Sequence, residues 1–326
     1  MSAGGNASFP GGPSELQAPV VTDRCPGVLR LHEAADGWLA RVRLPGGRLA
    51  AEALRAIADV AQRGNGIIEL TSRASLQIRG LVAGDGVACA EILGEAGLLP
   101  SPSHDRVRNI LASPVAGRHP QSAADVDDAV RELDAAVCAD DALARLSGRF
   151  LFAVLDGSPT LDARRADAVV APRQNRAAAI HAAQAPTTLT PGVLRQRDGL
   201  VAVTAAVPLA RLHPSTARIL AGLAARHGTD VRIAPERTVT LVDIAPTEAD
   251  GVVLELSSRG LVTRPSGWDG LTACAGRGAC AKAESDVRAL AVAAAARRAP
   301  GDPPEHWAAC PRGCGRPPGV ALRGLR

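Results

Sequence analysis

The pentapeptide PGVLR occurs at residues 26–30 and again at 191–195, and the segments downstream of it repeat as well. After the first copy come GWLARVRLP (37–45), AAEALRAIADVAQRG (50–64) and GIIELTSRASLQIRGL (66–81). After the second come GLVAVTAAVPL (199–209), PSTARILAGLAARHG (214–228) and DVRIAPERTVTLVDI (230–244). Alternating apolar residues in IIEL and LQIRGL suit half-buried strands, whereas Leu54, Ile57, Ala58 and Ala61 mark one face of a helix. Each copy therefore predicts a strand, a helix and a second strand, a small α+β half-domain. A half with so few strands leaves its apolar face poorly covered, so the two are expected to pair into one pseudo-twofold sheet.

The repeat divides the chain. Residues 1–19, rich in Gly, Ser and Pro, are expected to be a disordered tail. Residues 20–86 and 186–248 form the half-domains, and 87–185 and 249–326 form two lobes. The first lobe opens with a helix-like run at 87–96, continues through a second at 123–143 and a strand in RFLFAVLDG (149–157), and is abbreviated after 157, where no element is assigned. In the second lobe a helix is expected over 281–298.

Composition excludes more than it selects. The 326 residues are 46% hydrophobic and 2% aromatic, with no Tyr and one Met. A formal charge of +4, from 37 basic and 33 acidic residues, is too small and dispersed for a polyanionic partner, so no nucleic-acid binding is expected. The start of the chain lacks the basic and apolar regions of a secretory signal, and the longest apolar run (289–296) is far short of the roughly 20 residues a membrane helix needs. The expectation is a cytoplasmic protein without a membrane partner, in which clustered thiols point to metal or redox chemistry.

Four of seven cysteines fall near the end of the chain, in GLTACAGRGACAKAESD (270–286) and CPRGC (310–314). Cys274 and Cys280, six apart, cannot share a face of a continuous helix, so they converge only on a bent loop, which Gly276 and Gly278 permit. Pro311 and Gly313 let Cys310 and Cys314 turn inward together. Four thiolates from two bent loops can hold a 4Fe-4S cluster or a tetrahedral zinc, and unligated thiols are the third reading. A helix following Cys280 would direct its N-terminal dipole at the anionic centre. Cys25, Cys89 and Cys138 read as small packing residues.

The spacing C-x5-C followed by C-x3-C resembles the cluster and sirohaem signature of the nitrite and sulfite reductase haemoprotein superfamily. ARVRLPGG (40–47) is similar to its R-x-R-x-PGG strand, LTSRASLQ (70–77) to its T-x-R-x-x-x-Q motif, and RVRNILASP (106–114) to its R-N-x-x-x-x-P loop. The resemblance implies ferredoxin-like half-domains and sulfite-reductase-type α/β lobes. Within it, DRCPGVLRLHEAADGWLARVRLPGG (23–47), SGRFLFAVLDG (147–157) and HWAACPRGCGRP (306–317) resemble the precorrin-3B synthases of aerobic cobalamin synthesis.

That branch implies a monooxygenase that hydroxylates precorrin-3A at C20 with γ-lactone formation. It implies O2 and a 4Fe-4S cluster on Cys274, Cys280, Cys310 and Cys314, with electrons ultimately from NADH. No G-x-G-x-x-G stands in a strand-turn-helix context, so a separate electron-donor protein is implied. Sirohaem and a non-haem iron remain open as further cofactors, with His32, His104, His119 and His306 as candidate iron ligands. The resemblance places Arg43, Arg73 and Arg108 at tetrapyrrole- and anion-binding positions, with Arg41, Arg106 and Gln77 beside them, and guanidinium forks suit the many carboxylates of such a macrocycle. Arg149 aligns with the first lysine of the reductases' K-x-K strand, but Leu151 replaces the second. No catalytic residue is identified. The alternatives are a sirohaem- and 4Fe-4S-dependent sulfite or nitrite reductase, and a non-catalytic cluster- or zinc-binding paralogue.

Overall fold

The computed structural model describes residues 25–173 and 176–324; the tail expected over 1–19 lies outside them. The first half comprises β1 (His32–Ala34), β2 (Gly37–Val42), β3 (Arg48–Leu49), α1 (Ala51–Arg63), β4 (Ile68–Leu70), β5 (Leu76–Leu81) and α2 (Asp85–Glu95). The first lobe holds β6 (Ile110–Ala112), α3 (Asp127–Ala139), β7 (Phe152–Val154), β8 (Ala168–Val170) and α4 (Arg176–Gln184). The second half repeats the first as β9 (Gly192–Arg195), β10 (Val201–Ala206), β11 (Arg211–Leu212), α5 (Pro214–Arg226), β12 (Val231–Ile233), β13 (Thr238–Ile244) and α6 (Ala249–Ser258). The second lobe contains β14 (Leu271–Ala273), α7 (Val287–Ala295), β15 (Glu305–Trp307) and β16 (Ala321–Arg323). No helix among the described residues is long and apolar enough to cross a membrane.

The halves pair by exchanging strands. One sheet runs β1-β2-β5-β4-β11 and the other β3-β12-β13-β10-β9, so each is completed by a two-residue strand from the other half. Arg48 and Leu49 lie against Arg232 and Val231; Arg211 and Leu212 lie against Glu69 and Ile68. The helices α1 and α5 pack on one another, and a single apolar core runs through both halves, with Leu54, Ile57, Leu220 and Leu223 at its centre. The pseudo-twofold pairing thus takes the form of two interlocked sheets.

What reads as one second strand in each copy is a hairpin. In the first, the Thr71 hydroxyl accepts hydrogen bonds from the amides of Arg73 (3.3 Å) and Ser75 (3.2 Å), the local turn chemistry of Ser and Thr. That turn breaks a strand-like run between β4 and β5 and lifts Arg73 onto its tip.

The turn before each exchanged strand is left-handed in both copies. Gly46 and Gly47 have φ 65° and 68°, whereas their counterparts Leu209 and Ala210 adopt φ 54° and 60°, a conformation that costs a side-chain-bearing residue roughly 1–2 kcal/mol. A Cβ on Gly47 would lie 2.1 Å from the Ile233 carbonyl oxygen, so glycine is obligatory there.

Both lobes are parallel three-stranded sheets, β6-β7-β8 and β14-β15-β16. They dock on equivalent places, β6 on the turn Pro45–Gly47 and β14 on the turn Pro208–Ala210. The region after 157, unassigned from sequence, supplies β8 and α4. The helix expected over 281–298 starts later, at Val287, because the Asp286 carboxylate caps it by accepting from the Ala289 amide (3.1 Å). The dipole end therefore carries its own carboxylate and does not begin at Cys280.

The second lobe is also tied to the first half by charge. Arg79 on β5 grips Asp36 with two hydrogen bonds (2.9 and 2.8 Å) and donates to the Ala279 carbonyl (2.7 Å), while Arg288 on α7 pairs with Glu69 on β4 at 2.5 Å. Replacing Gly47 with Ala should lower the unfolding free energy by about 3 kcal/mol, measured by chemical denaturation, whereas Ala210→Gly at the equivalent site should cost nothing. Arg79→Gln strips Asp36 of its cation and should cost a similar amount, about 3 kcal/mol; a denaturation midpoint equal to that of the unaltered chain would contradict the tie.

Candidate functional site

Two loops at the C-terminal ends of adjacent parallel strands carry the cysteines. Cys274 directly follows β14, and its amide donates to the Trp307 carbonyl (2.9 Å); Cys310 lies just beyond β15. Between Cys274 and Cys280 the chain reverses through Gly276 (φ 71°) and Gly278 (φ 87°), as the two positive φ values require. The Cys280 amide closes that bend on the Gly276 carbonyl (3.1 Å). The Ala309 amide donates to Cys274 Sγ at 3.4 Å. Arg79 grips the neighbouring Ala279 carbonyl at 2.7 Å.

All four are free thiols, and they sense one another. Burial pushes the Cys314 thiol up; Arg312 opposes this, and the sulfurs of Cys310, Cys274 and Cys280 add to it. Among the described residues no three Cys, His, Asp or Glu side chains close on a point that one ion could occupy. Four cysteine thiols near enough to interact are the donor set that holds a 4Fe-4S cluster or a tetrahedral zinc.

Beyond Cys314, Gly315 and Arg316 form part of the wall of a cavity of about 610 Å³. Five guanidinium groups line it, from Arg73, Arg149, Arg165, Arg237 and Arg316, together with the carboxyl groups of Asp162, Asp167 and Glu236 and the apolar Leu111, Phe150 and Leu151. Burial draws the Arg73 pKa down, Arg165 and Arg149 add to this, and its Nε is buried without a hydrogen-bond partner among the described residues. Arg237 donates to the Gly315 carbonyl (3.1 Å), fastening the second cysteine loop to the cavity wall. A second cavity of about 100 Å³ adjoins the first and shares Glu236, Arg237 and Thr272 with it.

Of the arginines singled out in the sequence, Arg73 and Arg149 line the cavity. Arg43 is 1% exposed and donates to Asn109 Oδ1 (2.8 Å) and to the carbonyls of Pro26 (2.9 Å) and Arg106 (3.1 Å); burial and neighbouring Arg41 draw its pKa down to about 9. Arg108 is engaged by Asp134 through two bonds of 2.7 Å and by the Leu98 carbonyl (3.2 Å). Arg41 donates to Gln77 Oε1, and Gln77 faces Glu69. Arg106 is half-buried, its carbonyl holding Arg43 and Asn109. These five residues serve the packing of the first half and its lobe rather than the cavity wall.

The candidate histidines do not converge. His32 is exposed on β1, and His104 is hydrogen-bonded to Ser101 and to the Asp140 carbonyl. His119 accepts from the Gln121 amide. His306 is fully buried, with Nδ1 at 2.8 Å from Thr272 Oγ1 and the backbone of Cys314 close by. Burial, then Arg237 and Arg316, push its pKa down to about 4 against a hydrogen bond with the Cys314 backbone.

Sequence motifs do not point to Arg165, Arg237 or Glu236, and Arg316, within the string 306–317, is not singled out there. For the pair Glu236 and Arg237 a signal exists in the repeat, which aligns PER (235–237) with SRA (72–74) and so sets Glu236 opposite the motif residue Arg73.

Residues 32–96 and 194–259 match the nitrite/sulfite reductase ferredoxin-like half domain. A stretch of 110 residues, 33% of this chain, is 36% identical to a precorrin-3B synthase from Sinorhizobium sp, of which it spans 23%. Another of 83 residues, 24% of this chain, is 42% identical to a ferredoxin–nitrite reductase from Synechococcus elongatus, of which it spans 16%. The matches thus cover less than a quarter of these curated relatives. The solved structure of the Mycobacterium tuberculosis NirA protein shares the fold, with a TM-score of 0.71 over 90% of this chain and 74% of that one, at 19% identity. The repeated segments around which this chain folds are thus the two stretches that match the nitrite/sulfite reductase ferredoxin-like half domain.

Proposed function

We propose that the chain is an oxidoreductase of the precorrin-3B synthase type, which hydroxylates precorrin-3A at C20 with closure of a γ-lactone, using O2 and electrons that originate in NADH and arrive through a separate donor protein. One observation carries this reading: a cavity of about 610 Å³, ringed by five arginines, is walled in part by the loop that bears Cys314. The volume lies within the range of ligand pockets, about 300–1,000 Å³. The curated relative named precorrin-3B synthase supports the same choice.

Each part of the chain has a task in this account. A 4Fe-4S cluster on Cys274, Cys280, Cys310 and Cys314 would supply single electrons to a ligand in the cavity. Guanidinium forks around the wall fix a polycarboxylate macrocycle at several points, and the unpartnered Nε of Arg73 gains an acceptor when a carboxylate arrives. Leu111, Phe150 and Leu151 give the macrocycle an apolar bed and exclude water from it.

A second reading, reduction of sulfite or nitrite on sirohaem, is favoured by the likeness to ferredoxin–nitrite reductase. A small anion needs several cations gathered at one point. Here Arg73, Arg149 and Arg165 lie near enough to interact, but Leu151, where the reductases carry a lysine, lines the wall.

Anaerobic reconstitution should load about four iron and four sulfide per chain, with no zinc. Cys280→Ser should lose this content and Cys138→Ser should keep it; equal content in both would overturn the ligand set. With the loaded chain, oxygen uptake should require both precorrin-3A and a reductant. A haem absorption band with reduction of sulfite or nitrite would replace this reading by the second, and zinc without iron would overturn both in favour of a non-catalytic paralogue.

A further inference from the structure

Equivalent turns of the two halves face the large cavity. In the first half the Thr71 amide donates to the Ser75 carbonyl (3.0 Å) and the Ala74 amide to the Thr71 carbonyl (3.2 Å). In the second the Ala234 amide donates to the Thr238 carbonyl (3.1 Å) and the Arg237 amide to the Ala234 carbonyl (3.0 Å). Both turns place a left-handed residue at the same step, Ala74 (φ 51°) and Arg237 (φ 65°). In this register Glu236 is the counterpart of Arg73, and both line the cavity. The repeat has put a guanidinium and a carboxyl group into the two equivalent positions of one site.

Glu236 differs from the other carboxyl groups of the wall in what adjoins it. It also lines the cavity of about 100 Å³, where the Thr238 hydroxyl and Asp269 Oδ1 are buried without hydrogen-bond partners among the described residues. Unmatched polar atoms around a space of that size are what ordered water satisfies, and several waters fit. Burial pushes the Glu236 carboxyl up and Asp162 adds to this, while its own backbone amide and Arg237 oppose it. The remaining charged groups around it are Arg165 and Asp167 from the segment before β8, Arg149, Arg73 and Arg316.

We propose that Glu236 is the proton donor of the large cavity, reprotonated from water in the small cavity that shares its wall. The proposal rests on the reading of the large cavity as the reaction site. In this hydroxylation by O2 the O–O bond breaks, one oxygen bonds to C20 as its carbon–carbon double bond opens, and the ring acetate closes the lactone on the neighbouring carbon, its carboxyl proton ending on the new hydroxyl. The other oxygen leaves as water after taking up two electrons and two protons; the electrons come from a reduced iron–sulfur or nicotinamide-fed donor, and Glu236 passes on the protons. A carboxyl group whose pKa burial raises keeps its proton to higher pH than an exposed one and can do this, and it ceases to as rising pH ionises it.

Infrared titration of the purified full chain should show a protonated-carboxyl stretch at neutral pH that is absent from Glu236→Gln. In single-turnover reactions with precorrin-3A, dithionite-reduced chain and O2, Glu236→Gln should slow product formation about 100-fold and lose the alkaline limb of the pH profile, with precorrin-3A affinity unchanged. Glu236→Asp should retain part of the rate with its alkaline limb shifted. A Glu236 already ionised at neutral pH, or a Glu236→Gln variant with unaltered rate and pH profile, would overturn the proposal. Failure of precorrin-3A to bind would instead refute the assigned substrate, and the same variants assayed on nitrite reduction, which also consumes protons, would then decide the role of Glu236.

Discussion

The exchange of two-residue strands between the halves is the constraint on which the rest of the molecule depends. Because β3 completes the sheet of the second half and β11 that of the first, neither half can close its sheet or bury its helix alone. The exchange also fixes the lobes, since each docks its first parallel strand on the left-handed turn that leads into an exchanged strand. Glycine occupies that turn in one copy and Leu209 and Ala210 in the other. The second copy holds the same geometry without the residues best suited to it, which shows how strictly the interlock needs it.

Pseudo-symmetry explains the shape of the site, and its breaking explains the chemistry. In the second lobe the residue after the first strand is Cys274; in the first lobe it is Ser113, bonded to Thr160 at 2.5 Å. Around it Asp156, Ser122 and Ser158 close a buried hydroxyl and carboxylate network. One lobe has thus sealed this place with hydrogen bonds and the other has opened it to four sulfurs. The facing turns differ in the same way, with Arg73 on one side and Glu236 on the other.

Much of this is legible in the sequence for a definite reason. Helical and strand periodicities recur in the same order in both copies, so a reading of either supports the other, and glycines between the cysteines announce a bend. The hairpins are not legible, because the Thr71 turn lies within strand-like residues and the left-handed Ala74 has no compositional mark. Motif arginines can be named but not their partners: Asn109 holds Arg43 across a long stretch of sequence, and Asp134 holds Arg108 from a different element. The cavity wall draws Arg165 from a segment with no motif, because a wall is a product of tertiary packing.

Four thiols and an arginine-lined cavity make one redox site in this account. Anomalous diffraction at the iron edge, from crystals of the anaerobically reconstituted chain, tests that claim most directly. A compact multi-iron peak should lie at the C-terminal ends of β14 and β15, coordinated by Cys274, Cys280, Cys310 and Cys314 and adjoining the cavity at Gly315. A lone scatterer at the zinc edge among those sulfurs, or iron bound elsewhere on the chain, would contradict the account.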